Sequence, residues 1–69
     1  MSEEIIRSQR EAIGILLEVV KRYQANSDLD EEYVRIAAGG GPEGRAARIL
    51  EERRANSEAI SRLLSRLEE

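Results

Sequence analysis

The side chains that could do chemistry in this chain are carboxylates, amides and one run of glycines, because it contains no histidine and no cysteine. Asp28, Asp30, Glu31 and Glu32 form its densest acidic cluster and raise the question of calcium. A calcium loop of the EF-hand type needs a glycine at its sharp turn and a bidentate glutamate at about the twelfth loop position. Both are missing, so the cluster predicts an acid-rich helix start, where carboxylates favour the helix dipole. Glu51-Glu52 and Glu68-Glu69 are adjacent carboxylates, but general acid–base catalysis needs a pocket that shifts a pKa. Exposed helical positions flanked by arginine supply none. The glycine run from Gly39 to Gly44 lies at a predicted helix N-terminus, as a phosphate-binding loop would. The Lys-Ser/Thr pair and the preceding strand of such a loop are absent. Without Cys or His there is no zinc site of the usual kind. The sequence therefore predicts no catalytic residue, no cofactor and no metal, and no enzyme.

Polar residues at positions that periodicity assigns to a buried face are more informative. Gln9 falls at the centre of the apolar arc of the first helix, between Ile5, Ile6, Ile13 and Leu16. Arg53, Asn56 and Ser57 interrupt an apolar stripe that resumes in phase at Ile60. Buried amides need partners, and single polar groups in helical seams fix register and oligomer state. Gln9, Arg53 and Asn56 are accordingly the candidate polar register layer. The competing readings are an amide that simply touches water and a ligand pocket built from the same three residues. Gly14, in mid-helix, costs about 1 kcal/mol relative to alanine, which points to close approach of another helix, within the chain or across an interface.

The elements that must position these residues are helices. Ser2 can cap the first, with Glu3 and Glu4 in its opening turn, and the pattern runs to about residue 24. Asn26 can adopt the left-handed conformation that ends a helix, and Asp28 with Glu31 reads as a capping box for a second, over about 29–38. The glycines stop it. Pro42 suits the first position of a third helix, about 42–67. Asn56-Ser57 offers a possible break there, but no Gly or Pro accompanies it, and continuity is the preferred reading. The fold expected is all-α, a small three-helix subunit (long, short, long) forming one domain over 1–69. At 1.5 Å per residue the helices span about 35, 15 and 40 Å. In an up, down, up arrangement the third would overshoot the first.

Ala12 to Val20 reads AIGILLEVV, and on a helix its apolar residues span roughly 200°, from Ile15 through Val19, Leu16, Val20 and Ile13 to Leu17. A surface helix of a monomer needs a stripe only somewhat above about 100°. A chain this short also rarely draws more than about 3–5 kcal/mol from a core alone, so the surplus calls for a partner. The expected division gives Ile6, Ile13, Leu16 and Val20 to the chain's own core. Ala12, Gly14, Ile15 and Val19 then form an oligomer interface with Ile60, Leu63, Leu64 and Leu67 of another copy's overshooting helix. Tyr23 is expected in the core with its hydroxyl at the rim.

Charge narrows the partners. Residues 1–24 hold four basic and four acidic side chains and residues 42–69 six of each, so the net charge of −3 arises in residues 25–41. Most arginines have a glutamate at helical spacing, as Glu18 has Arg22, which makes surface pairs. No basic face offers itself to nucleic acid. The acidic start is unlike a signal peptide, and no apolar run approaches the roughly 18 residues of a membrane span. The partner expected is the chain itself, with no nucleic acid, membrane or metal, in a soluble protein.

Several marks are stylistic: the acid-rich capped starts Ser2-Glu3-Glu4 and Asp28-Leu29-Asp30-Glu31-Glu32, the connector GGGPEG, the near absence of aromatics, and balanced Arg and Glu. In these the chain resembles computationally designed helical proteins. That resemblance implies a subunit made to self-assemble into a symmetric homo-oligomer, a ring or closed cage, without natural activity. The alternative is a binding module whose apolar groove takes a foreign helix or a small hydrophobic ligand.

Overall fold

Ser2 starts the first helix: its hydroxyl accepts the Ile5 amide at 3.3 Å, and Glu3 and Glu4 occupy the first turn. In the computed structural model, which describes residues 2–68, this helix, α1, does not stop near residue 24 but runs from Glu3 to Gly39. A second helix, α2, spans Arg45–Glu68 and returns antiparallel along it. The described chain is thus an all-α hairpin of two helices, not three.

The expected break at Asn26 is overruled by tertiary contacts. Local capping by Asn or Asp competes with a helix only while those side chains have nothing better to bond. Here Asn26 Oδ1 accepts from Asn56 Nδ2 at 3.0 Å, and Asn26 Nδ2 donates to Ser57 Oγ at 3.4 Å. Asp28 does not cap a new helix either; it accepts from Gln24 Nε2 at 3.0 Å, one turn earlier on the same helix. With no Gly or Pro between 25 and 28, nothing else breaks the ladder.

The glycines do end α1. Gly40 takes φ +80°, and its amide donates to the Ile36 carbonyl at 2.7 Å. Pro42 does not open the next helix. It begins a turn closed by the Arg45 amide on the Pro42 carbonyl at 3.1 Å. Gly44 then takes φ +79°, outside helical space, and its carbonyl accepts the Arg48 amide at 3.1 Å, so regular α2 can start only at Arg45. From there α2 runs through Arg53, Asn56 and Ser57 without interruption.

Lengths are reversed accordingly. Because the supposed short return leg continues α1, the first helix has 37 residues against 24 in the second, and α1 overshoots α2. At 1.5 Å per residue α1 alone measures about 55 Å, which accounts for the 56 Å long axis of a molecule only 15 × 13 Å across. Every residue from Ser2 to Glu11 is exposed, marking the turns that project past the end of α2. The core is small: Ile15 and Val19 of α1 pack with Ile60, Leu63 lies against them, and Ile49 and Ala59 complete the buried apolar set.

Candidate functional site

Two stripes run along α1, both with alternating steps of three and four residues. The inner seam comprises Ala12, Ile15, Val19, Arg22, Asn26 and Leu29, all buried or half-buried against α2. It faces a matching row on α2, Ala46, Ile49, Arg53, Asn56, Ile60 and Leu63. This is the spacing of a coiled-coil seam, and its two halves differ. Toward the open ends of the hairpin it is apolar; in the middle it is polar.

The polar stretch is a connected network. Arg22 is held by Glu18 at 3.1 Å and donates through Nη1 to Asn56 Oδ1 at 3.1 Å. Asn56 passes the chain on to Asn26, which ends it on Ser57. Asn26, at 9% exposure the only buried polar residue among those described, therefore has both ends of its amide satisfied, which removes the penalty of burying it. Arg53 sits beside this network with Nε 2.6 Å from Asp30 Oδ1, an ion pair whose N–H is misaligned for a hydrogen bond. Near the connector Arg45 grips both oxygens of Glu32, at 2.5 and 2.7 Å, and reaches Glu52 at 3.4 Å. The hydrogen bond from Arg45 holds the Glu32 carboxyl below its ordinary 4.5 and raises the arginine in turn. Such a planar two-point grip fixes geometry as well as charge.

Of the residues expected in a polar layer, Asn56 is at the centre of this network and Arg53 at its edge, whereas Gln9 is exposed on the projecting part of α1. Arg22 and Asn26 are members that the sequence reading left out, and Ser57 was named in the polar interruption of the α2 stripe but not in the register layer. The signal for two of them was available, since steps of three and four from Ile15 and Val19 arrive at Arg22 and Asn26.

The outer stripe of α1 is Ile6, Gln9, Ile13, Leu16, Val20 and Tyr23. It has no cover. Ile13 is 57% and Val20 62% exposed, and Leu16, Leu17 and Tyr23 are about as open. The two edges of the apolar arc have therefore exchanged places: Ile15 and Val19 serve the chain's own core, while Ile6, Ile13, Leu16 and Val20 face solvent. Tyr23 is likewise outside the core. Among the other expected interface residues, Ala12 and Leu63 are half-buried within the hairpin, Ile60 is buried there, and Leu64 and Leu67 remain exposed.

Grooves along the hairpin show how the flanks of the two helices pair. Glu18 and Arg22 lie beside Arg62 and Arg66, and Glu32 beside Glu52 and Ala55, so one flank is charged on both helices. At 100° per residue, Leu16 and Tyr23 of α1 and Leu50 and Leu64 of α2 lie on the opposite flank. Gly14 belongs to the charged flank, in a groove with Ile15, Leu63 and Arg66, and a Cβ built on it meets nothing within 4 Å. No close approach within the chain explains it.

Among the described residues no three His, Cys, Asp or Glu side chains are grouped to hold a metal, and no helix is long and apolar enough to cross a membrane. Glu69, half of the second carboxylate pair, lies outside the described residues. Compared with known protein families, with curated proteins and with solved structures, the chain matches none.

Proposed function

We propose that this chain is a structural subunit that associates with copies of itself through the open apolar flank of its hairpin, and that it has no catalytic role. The observation that carries this reading is an excess of surface. The hairpin exposes 5533 Å², whereas a compact monomer of 7.8 kDa exposes about 4,400 Å². The difference, about 1,100 Å², exceeds the about 800 Å² that each partner buries in a standard interface. Its radius of gyration, 16.5 Å, is likewise well above the about 11 Å of a compact domain this long.

The chemistry of the uncovered flank fits a copy better than other occupants. Its apolar residues from Ile13 to Tyr23 have one charged neighbour in that stretch, Lys21 at the margin, since Glu18 and Arg22 lie on the other flank, too little positive charge to hold a phosphate backbone or an anionic membrane surface. A hairpin with five buried apolar residues also gains stability from further burial, because small helical scaffolds rely on oligomerisation or very regular packing when they lack disulfides and metals. The resemblance to designed self-assembling helical proteins points the same way.

Light scattering or native mass spectrometry across a dilution series tests this. A mass that is a multiple of 7.8 kDa is expected at micromolar concentration. A folded monomer at high micromolar concentration overturns it.

A further inference from the structure

Resting on that self-association, we infer the direction in which copies meet: along the outer seam of α1, parallel and in register, with the Gln9 amides of neighbouring copies gathered in one layer. Two observations carry this, and a third shows how the arrangement ends.

The first is the division of side-chain shapes along the seam. Steps of three and four divide it into Ile6, Ile13 and Val20 in one set and Gln9, Leu16 and Tyr23 in the other. Every member of the first set is β-branched and no member of the second is. In a parallel coiled coil the two sets form separate layers with different packing geometry, and β-branched residues are favoured in one of them. In an antiparallel pair the sets face each other, every layer is mixed, and the segregation has no use.

The second is Gln9. An antiparallel pairing that overlaps the whole apolar stretch places Gln9 opposite Val20 and leaves its amide unpaired in the interface. Because the two sets face each other in an antiparallel pair, no slide of the helices brings Gln9 into a layer with another Gln9. A parallel, in-register pairing covers the full stretch and gives each Gln9 another amide as donor and acceptor.

The third is the end of the seam. Continuing the steps beyond Tyr23 reaches Ser27 and Asp30, and like charges would meet in a parallel pair. Asp30 is already ion-paired to Arg53 of its own chain. The projecting turns that carry Ile6 and Gln9 have no α2 beside them, and in a parallel assembly they cover one another.

The test exploits the absence of native cysteine. Chains carrying Ile6→Cys and chains carrying Tyr23→Cys are mixed in equal amounts, their assembled mass is measured, and they are oxidised gently. Both positions are exposed in the hairpin, so neither change removes its core. Parallel association yields 6–6 and 23–23 disulfides in about tenfold or greater excess over 6–23, the discrimination that one buried unpaired amide provides. Adding Gln9→Leu to both chains is expected to erode that excess. An oligomeric mass with predominant 6–23 links overturns the parallel arrangement and leaves self-association standing. A monomeric mass overturns self-association itself, and the arrangement with it.

Discussion

The inner seam of α1, from Ala12 to Leu29, and its outer seam, from Ile6 to Tyr23, share one alternating spacing, yet α2 covers the first and leaves the second to solvent. Hydrophobic content does not separate them, since the outer seam is the more apolar of the two. Polar content does. Arg22 and Asn26 of the inner seam find Asn56 and Ser57 across the hairpin, whereas Gln9 of the outer seam has no counterpart on α2. Apolar residues make both faces sticky; the placement of complementary amides decides which face the chain's own helix takes. That is the use of buried polar groups as specifiers of register.

The sharpest way to break this comparison is to place a charge in each seam. Ile60→Asp puts a carboxylate at a position that is 5% exposed, and loss of cooperative helical folding by far-UV circular dichroism is expected, since an unpaired buried charge costs several kcal/mol. Retained helicity and an unchanged melt would mean that the inner seam is not the hairpin's core. Ile13→Glu with Val20→Glu should instead leave the hairpin helical while the assembled mass falls to that of one chain. An unchanged mass places the outer seam outside the interface.

The polar stretch can be probed at smaller amplitude. Asn56→Leu strands both Arg22 and Asn26, and a loss of about 1–3 kcal/mol in chemical denaturation is expected. The double change Asn26→Leu, Asn56→Leu should recover much of it, because apolar groups replace both partners of the amide pair. Equal losses in the single and double variants would show that the two amides are not coupled. Smallest is Gly14→Ala, expected to gain about 1 kcal/mol, since the added methyl meets nothing in the hairpin. A loss would reveal another helix backbone lying on the charged flank, and with it a third contact face.

Much of the local structure was legible. The Ser2 cap, the glycine stop at residues 39–41, the all-helical class and the excess breadth of the arc all follow from residues that act on their near neighbours. The misreading at Asn26-Ser27-Asp28 came from the same local logic, because the side chains that overrule it sit about 30 residues away on α2. One misplaced break then propagated: it created a third helix and reversed the overshoot. The edges of the arc were exchanged for a related reason. Ile15 with Val19 and Ile13 with Val20 are equally apolar pairs, and only the polar residues farther along each stripe tell which one α2 can match.

Sequence separation grows along the hairpin from its connector. The Glu32–Arg45 grip joins residues 13 apart, and the Asn26–Asn56 bond residues 30 apart; Ile15 and Ile60 lie farther still. Closing a loop costs entropy that rises with its length, so a chain zipping from the connector reaches the ion pair first, the amides next and the apolar end last. The amides are thus inspected after Ile49 but before Ile15, Val19 and Ile60 can close. A slipped pairing meets mismatched amides while it is still cheap to reopen, so the polar stretch checks the register of the hairpin before its open end is committed.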